Sequence, residues 1–317
     1  MIRFAFLLLI ALAACGVGPE PPVEVQVQLA LNWFPEAEHG GFYAASLQGY
    51  YQERGVEVDI LAGGPGVPVI EHVATGAVAF GITNADNILA ARAQQIPVVA
   101  LMAPYQISPR CIMVHANSGI ASIADIANIT LAMSQSSAFS QYLRWKYPFS
   151  NVEIVPYSGN VTQFLANENF AQQGYVFSEP YVAKARGGNP RALLVADIGY
   201  NPYTSVLITT EDRIAADPQI VEAVVQASVQ GWEHYLDNPD ATNRHINTLN
   251  AEMGLDILAY GAEESRALVL DPIARANGLG SMTLQRWQEL LDQMVAADII
   301  PANTVIPAEA FTNRFLP

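Results

Sequence analysis

The side chains of this sequence best suited to chemistry are aromatic rings and small polar groups near expected strand ends, and they suit holding a molecule rather than breaking bonds. Trp33 lies in a turn with Asn32 before it and His39 shortly after. A ring there offers a face for stacking, worth roughly 0.5–1.5 kcal/mol per aromatic pair, while Asn32 and His39 supply donors and acceptors. The competing role for Trp33 is a plug that packs its domain. Tyr43 follows in the same segment, and Tyr105, Tyr157 with Asn160, Tyr175, Phe177, Tyr181, Tyr200 and Tyr203 fall near chain crossings or strand ends. About half of these rings are expected to touch a ligand and the rest to pack. Glu179, before Pro180, either accepts hydrogen bonds from a ring N–H or amino group or caps the next helix. Asn84 and Asp86 end a strand, and Ser134, Ser136 and Ser137 open a helix whose free amides suit a carbonyl or hydroxyl. Helix capping is the ordinary alternative for each, and the more usual one for serines.

Other chemistries lack a pattern. The histidines (His39, His72, His115, His234, His245) show no H-x-x-x-H spacing and the two cysteines no C-x-x-C, so neither a metal centre nor a cofactor is expected. Cys111 reads as a small core residue. With a net charge of −15 and Lys146 and Lys184 as its lysines, the chain has no basic cluster for nucleic acid.

These residues need a scaffold. Val23–Leu29 alternates as a strand, Gly40–Arg54 reads as a helix closed by Gly55, and Val56–Ile60 is a second strand. Helices near 67–75 and 87–94 alternate with strands at 79–82 and 98–102. After Pro104-Tyr105 the rhythm restarts, with strands at 111–114, 129–133, 152–155 and 192–196 and helices at 123–127 and 139–147. Such alternation predicts parallel sheets covered by helices, with ligands beyond the carboxyl ends of the strands. Crossings near 103–107 and 197–203 divide the chain into lobe 1, residues 24–104 with 201–317, and lobe 2, residues 105–200. From Asp217 the spacing turns helical, and Trp232 and Trp287 sit in its apolar stripe as core residues.

The amino-terminus reads as an export signal: Arg3, then an apolar run from Phe4 to Ala14. That run is short of the about 20 residues a membrane span needs. Leu12-Ala13-Ala14-Cys15 has the form of a lipobox, which predicts a signal peptide over 1–14, a diacylglycerol on Cys15, a tether over 15–23 and anchorage to the outer face of the cell membrane. A chance cysteine after an ordinary signal peptide is the alternative.

Leu31-Asn32-Trp33-Phe34-Pro35-Glu36, then His39-Gly40-Gly41-Phe42-Tyr43-Ala44-Ala45 and Gly49-Tyr50-Tyr51, resembles the start of the NMT1/THI5-like family. Phe80-Gly81-Ile82 with Ala85-Asp86, Gly174-Tyr175 with Glu179-Pro180, and Gly231-Trp232 continue the resemblance in order. It implies a type II periplasmic-binding-protein fold, two Rossmann-like lobes with a ligand cleft between them, serving an ABC importer with its permease and ATPase and acting alone. It also implies a flat nitrogen heterocycle as ligand. Few basic residues occupy the strand-end loops, which argues against phosphate, and the number of rings favours riboflavin over a thiamine-precursor aminopyrimidine, with nitrate or alkanesulfonate third. One branch of the family is a pyrimidine-forming enzyme with a cysteine-rich motif and a pyridoxal-phosphate lysine. This sequence lacks the cysteine cluster, and neither Lys146 nor Lys184 matches the lysine motif.

Overall fold

The computed structural model describes residues 25–317. The expected signal peptide, Cys15 and tether lie outside the described residues, as do the first two residues of the expected strand at 23–29. In chain order the first unit runs β1 (Val25–Ala30), α1 (Gly40–Leu47), β2 (Val56–Leu61), α2 (Val69–Ala74), β3 (Phe80–Thr83), α3 (Ala85–Ala93) and β4 (Val98–Met102). The second runs β5 (Arg110–His115), β6 (Thr130–Ala132), α4 (Ala138–Lys146), β7 (Glu153–Val155), α5 (Thr162–Ala166), β8 (Phe170–Tyr175), α6 (Glu179–Ala185) and β9 (Pro190–Leu194). The chain then returns as β10 (Val206–Thr210), α7 (Glu211–Ala216), α8 (Pro218–Asp237), α9 (Asp240–Leu249), α10 (Leu255–Val269), α11 (Pro272–Asn277) and α12 (Leu284–Ala296).

One five-stranded sheet has the order β2-β1-β3-β10-β4 and the other β7-β6-β8-β5-β9. The fold is α/β with two lobes, but the sheets are mixed rather than wholly parallel. β10 runs antiparallel to β3 and β4, and β5 antiparallel to β8 and β9. Direction follows from connection. A strand returned by a helix runs toward the cleft, whereas β5 and β10 arrive straight from the other lobe, begin at the cleft and run away from it.

Several helices are shorter than their periodicity suggests. The segment at 40–54 is helical only to Leu47; the chain then turns at Gly49, whose φ is 77°, and closes with a 3-10 turn at Gln52–Arg54. Residues 123–127 form one 3-10 turn, Ile123–Asp125, held by a capping box between Ser122 and Asp125. α12 starts at Leu284 because the Thr283 hydroxyl accepts the Arg286 N–H.

Trp232 on α8 and Trp287 on α12 are fully buried, as is Cys111 on β5. α8 packs across α1 with Phe42 edge-on to Trp232 at 5.8 Å and the Tyr51 hydroxyl 3.0 Å from that of Ser228. This clamps the segment that carries the Trp33 turn. The far edge of β4 is covered by the C-terminal segment, through Ala100 N–H to the Ala310 carbonyl at 2.9 Å and Thr312 N–H to the Ala100 carbonyl at 2.9 Å. Among the described residues no helix is long and apolar enough to cross a membrane.

Candidate functional site

A cavity of about 670 Å³ lies between the sheets and is walled by both. From the first come Asn32 and Trp33 after β1, Glu36 and Glu38, residues 66–68 with the first turn of α2 to Glu71, Thr83 and Asn84 at the end of β3, and Asn87. From the second come Arg110 at the start of β5, Ser136 and Ser137 after β6, Tyr157 after β7, Gln173 and Tyr175 of β8, and Glu179 at the head of α6.

Main-chain bonds hold the Trp33 turn, with Leu31 N–H to the Leu61 carbonyl at 2.9 Å and Gly63 N–H to the Trp33 carbonyl at 3.0 Å. His39 is fully buried behind it, its Nε2 3.0 Å from the Asn32 Oδ1 and 3.0 Å from the Glu38 Oε1. The Asn32 Oδ1 is an acceptor, so Nε2 donates to it and fixes the Asn32 amide, which lines the cavity. Opposite, the Glu179 carboxyl accepts the Tyr157 hydroxyl at 2.5 Å and the Tyr175 N–H at 2.7 Å. Gly174 makes this possible: a Cβ there would stand 2.8 Å from the Glu179 Oε2. Glu179 is thus both a loop anchor and a cavity wall.

Arg110 supplies the cavity's cation. Its guanidinium lies over the Tyr175 ring at 4.3 Å and the Phe139 ring at 4.8 Å and donates to the Tyr175 hydroxyl at 3.1 Å. Burial works against its charge, but Tyr175, Glu179, Glu38 and Asp86 around it outweigh burial and hold its pKa above the ordinary value. Few basic groups line the cleft: among the described residues Arg110 is its one arginine or lysine, facing Glu36, Glu38 and Glu179. Burial, then the neighbouring Glu38 and Glu179, push the Glu36 carboxyl well above the usual range, with Arg110 opposing. A carboxyl raised in the folded state contributes stability at low pH that is lost as pH climbs through its folded pKa. Glu36→Gln keeps the shape without the titration, so its melting temperature should exceed that of the natural chain at about pH 8, the gap closing toward about pH 4, below the free glutamate pKa near 4.3. Thermal melts across that range check this.

Of the residues expected to touch a ligand, Asn32, Trp33, Asn84, Ser136, Tyr157, Tyr175 and Glu179 line the cavity. The others stand elsewhere. His39 backs Asn32. Tyr43 is buried on α1 at 5.7 Å from the His245 ring. Tyr105 is buried under Trp232 and Phe177, its hydroxyl 2.8 Å from that of Ser265, and Phe177 is buried with it. Tyr181 stacks on Tyr260 and donates to Asp256. Tyr203 accepts the Thr283 N–H at 3.0 Å beneath Arg286. Exposed Asn160 accepts the Thr162 N–H at 3.0 Å. Asp86 and Tyr200 line a smaller neighbouring void. Glu36, Glu38, Arg110 and Gln173 were not anticipated as lining residues. For the two glutamates a signal existed, since they share the loop between Trp33 and His39.

The model of the family described as NMT1/THI5 like matches residues 36–242. A riboflavin-binding protein, RibY, of Chloroflexus aurantiacus is 28% identical, with 91% of this chain and 85% of its own length covered. A formylaminopyrimidine-binding protein of Halalkalibacterium halodurans is 23% identical, with 89% and 88% covered. Among solved structures, the periplasmic aliphatic sulphonate binding protein SsuA from Escherichia coli superposes with a TM-score of 0.68 at 13% identity, over 90% of this chain and 91% of that one. At that identity the likeness concerns the fold.

Proposed function

The chain belongs to the NMT1/THI5-like family, and on that premise we propose that it is the extracytoplasmic substrate-binding lipoprotein of an ABC importer, with riboflavin as its ligand. The observation that carries this reading is the cavity itself. Its about 670 Å³ fall within the roughly 300–1,000 Å³ of sites that enclose a drug-sized molecule, enough for a tricyclic ring with a tail, where a single pyrimidine would leave most of the space to water. Trp33, Tyr157 and Tyr175 offer ring faces, and Asn32, Asn84 and Gln173 offer amides. Four lining glutamates, Glu36, Glu38, Glu71 and Glu179, against one arginine disfavour an anion such as a sulfonate or phosphate.

The lobes are taken to divide as 24–104 with 201–317 against 105–200, and ligand contacts from both favour a closed form that a permease with its ATPase recognises. Moving such an equilibrium from 1:99 to 99:1 takes about 5.5 kcal/mol of preference, within reach of a few stacks and buried hydrogen bonds. The Leu12-Ala13-Ala14-Cys15 sequence supports a lipid on Cys15 as the membrane attachment. Binding without catalysis is favoured because Lys146, the cation at the end of α4, donates to the Ile198 carbonyl at 2.7 Å, and neither it nor Lys184 lines the cavity.

One observation favours a second reading. Among the described residues three aromatic rings line the cavity, and the Glu36, Glu38 and Glu179 carboxyls suit the amino group of a formylaminopyrimidine. Titration of the full chain in detergent decides between them. Riboflavin should quench tryptophan emission with a Kd below about 1 µM, while a response to the aminopyrimidine alone overturns the riboflavin assignment.

A further inference from the structure

Beside the main cavity lies a void of about 90 Å³, and the two share a neck, since Asn84, Asn87, Arg110 and Ser137 line both. Asp86, Tyr200 and Ser108 wall the void beyond the neck, with the Tyr200 hydroxyl donating to the Asp86 carboxyl at 3.1 Å. Two groups at the neck are under-used among the described residues. The Ser137 hydroxyl is buried without a hydrogen-bond partner. The Arg110 guanidinium donates to the Tyr175 hydroxyl and has no carboxyl oxygen within 4.0 Å. An arginine with five N–H donors and an unpaired buried hydroxyl both carry a cost that a bound partner removes.

We propose that this annex is the subsite for a short hydroxylated chain attached to the ligand's ring, the ring lying against Trp33 and the chain passing between Arg110 and Ser137 toward Asp86. The chemistry of the walls selects the occupant. Arg110 donates, the Asp86 carboxyl and the Tyr200 oxygen, whose proton Asp86 holds, accept, and Asn87, Ser108 and Ser137 do either, a mixture that only a group both donating and accepting satisfies throughout. An anionic tail would pair with Arg110 but meet Asp86, and an apolar tail would leave the neck unsatisfied. Size agrees, because about 90 Å³ holds about three water-sized groups, the end of a polyol but not another ring.

This inference rests on the flavin reading above and is tested with the full chain by titrating riboflavin against lumiflavin, which has the same ring with a methyl group in place of the ribityl chain. The natural protein should prefer riboflavin by about 30-fold, as two or three tail hydrogen bonds allow. Val195 walls the annex but not the main cavity, so Val195→Phe should cut that preference to about 3-fold or less with lumiflavin affinity kept, a melt confirming the fold. Equal binding of the two flavins by the natural protein, a measurement needing no variant, overturns the tail subsite while the flavin reading stands. A Val195→Phe protein that folds and keeps its preference overturns it as well. Binding of the aminopyrimidine with no response to either flavin removes both readings.

Discussion

Replacing Trp33 with alanine should weaken ligand binding by about 100-fold or more and leave the melting temperature of the empty protein nearly unchanged. The two halves of that result have separate causes. Trp33 sits at the mouth of the turn after β1, half-buried and facing the cavity, so its ring is available to a flat ligand. Truncating a central aromatic anchor typically costs about 2–4 kcal/mol, and each 1.4 kcal/mol is tenfold in Kd. The turn does not depend on the ring, because the bonds that shape it run between the backbones of Leu31 and Leu61 and of Trp33 and Gly63. Alanine keeps all of them. Calorimetric titration and a thermal melt on one preparation check both halves, and undiminished affinity would remove Trp33 from the site.

Gly231→Ala should act in the opposite way, through stability. Here α8 crosses α1 so closely that a Cβ on Gly231 would stand 2.2 Å from the Gly41 carbonyl oxygen and 2.6 Å from the Ala45 Cβ. Neither is the end of a flexible side chain, so the helices must separate. The facing Gly41 is as tight, a Cβ there falling 2.1 Å from the Trp232 ring. Overpacking of this kind costs about 3 kcal/mol, which for a chain of this size corresponds to a melting temperature lower by roughly 5 °C. Because α1 follows the Trp33 turn directly, ligand should recover part of the loss by binding only the folded state. A variant that melts within about 1 °C of the natural chain would mean that the helices do not pack so closely.

What could be read from the residues followed from how local each cause was. β1 alternates because one face is buried and one is wet, and α8 and α12 show their apolar stripe because each packs through one face, α8 against α1 and α12 against α3 and α4. β10 escaped notice: Val206 to Thr209 are all buried, so the strand is an unbroken run in which period two cannot appear. The direction of β5 and β10 depends on which lobe the chain has just left, information that no window of neighbours holds. Arg110 was missed for the same reason. Ligand contacts were sought beyond the carboxyl ends of strands, and Arg110 stands at the amino end of the strand that starts at the cleft. Tyr105 and Tyr203 were overvalued because their partners, Ser265 and Thr283, come from the distant C-terminal helices. A tyrosine near a crossing looks available until those helices are in place.

The protein should hold a flat, uncharged heterocycle between its two sheets at Trp33. A crystal structure of the protein saturated with riboflavin tests it most directly. In it the isoalloxazine ring should lie against Trp33, with polar contacts from Asn32 on one lobe and from Tyr157 or Tyr175 on the other. A ring bound outside the cleft, or a cleft closed around an anion paired with Arg110, would contradict it.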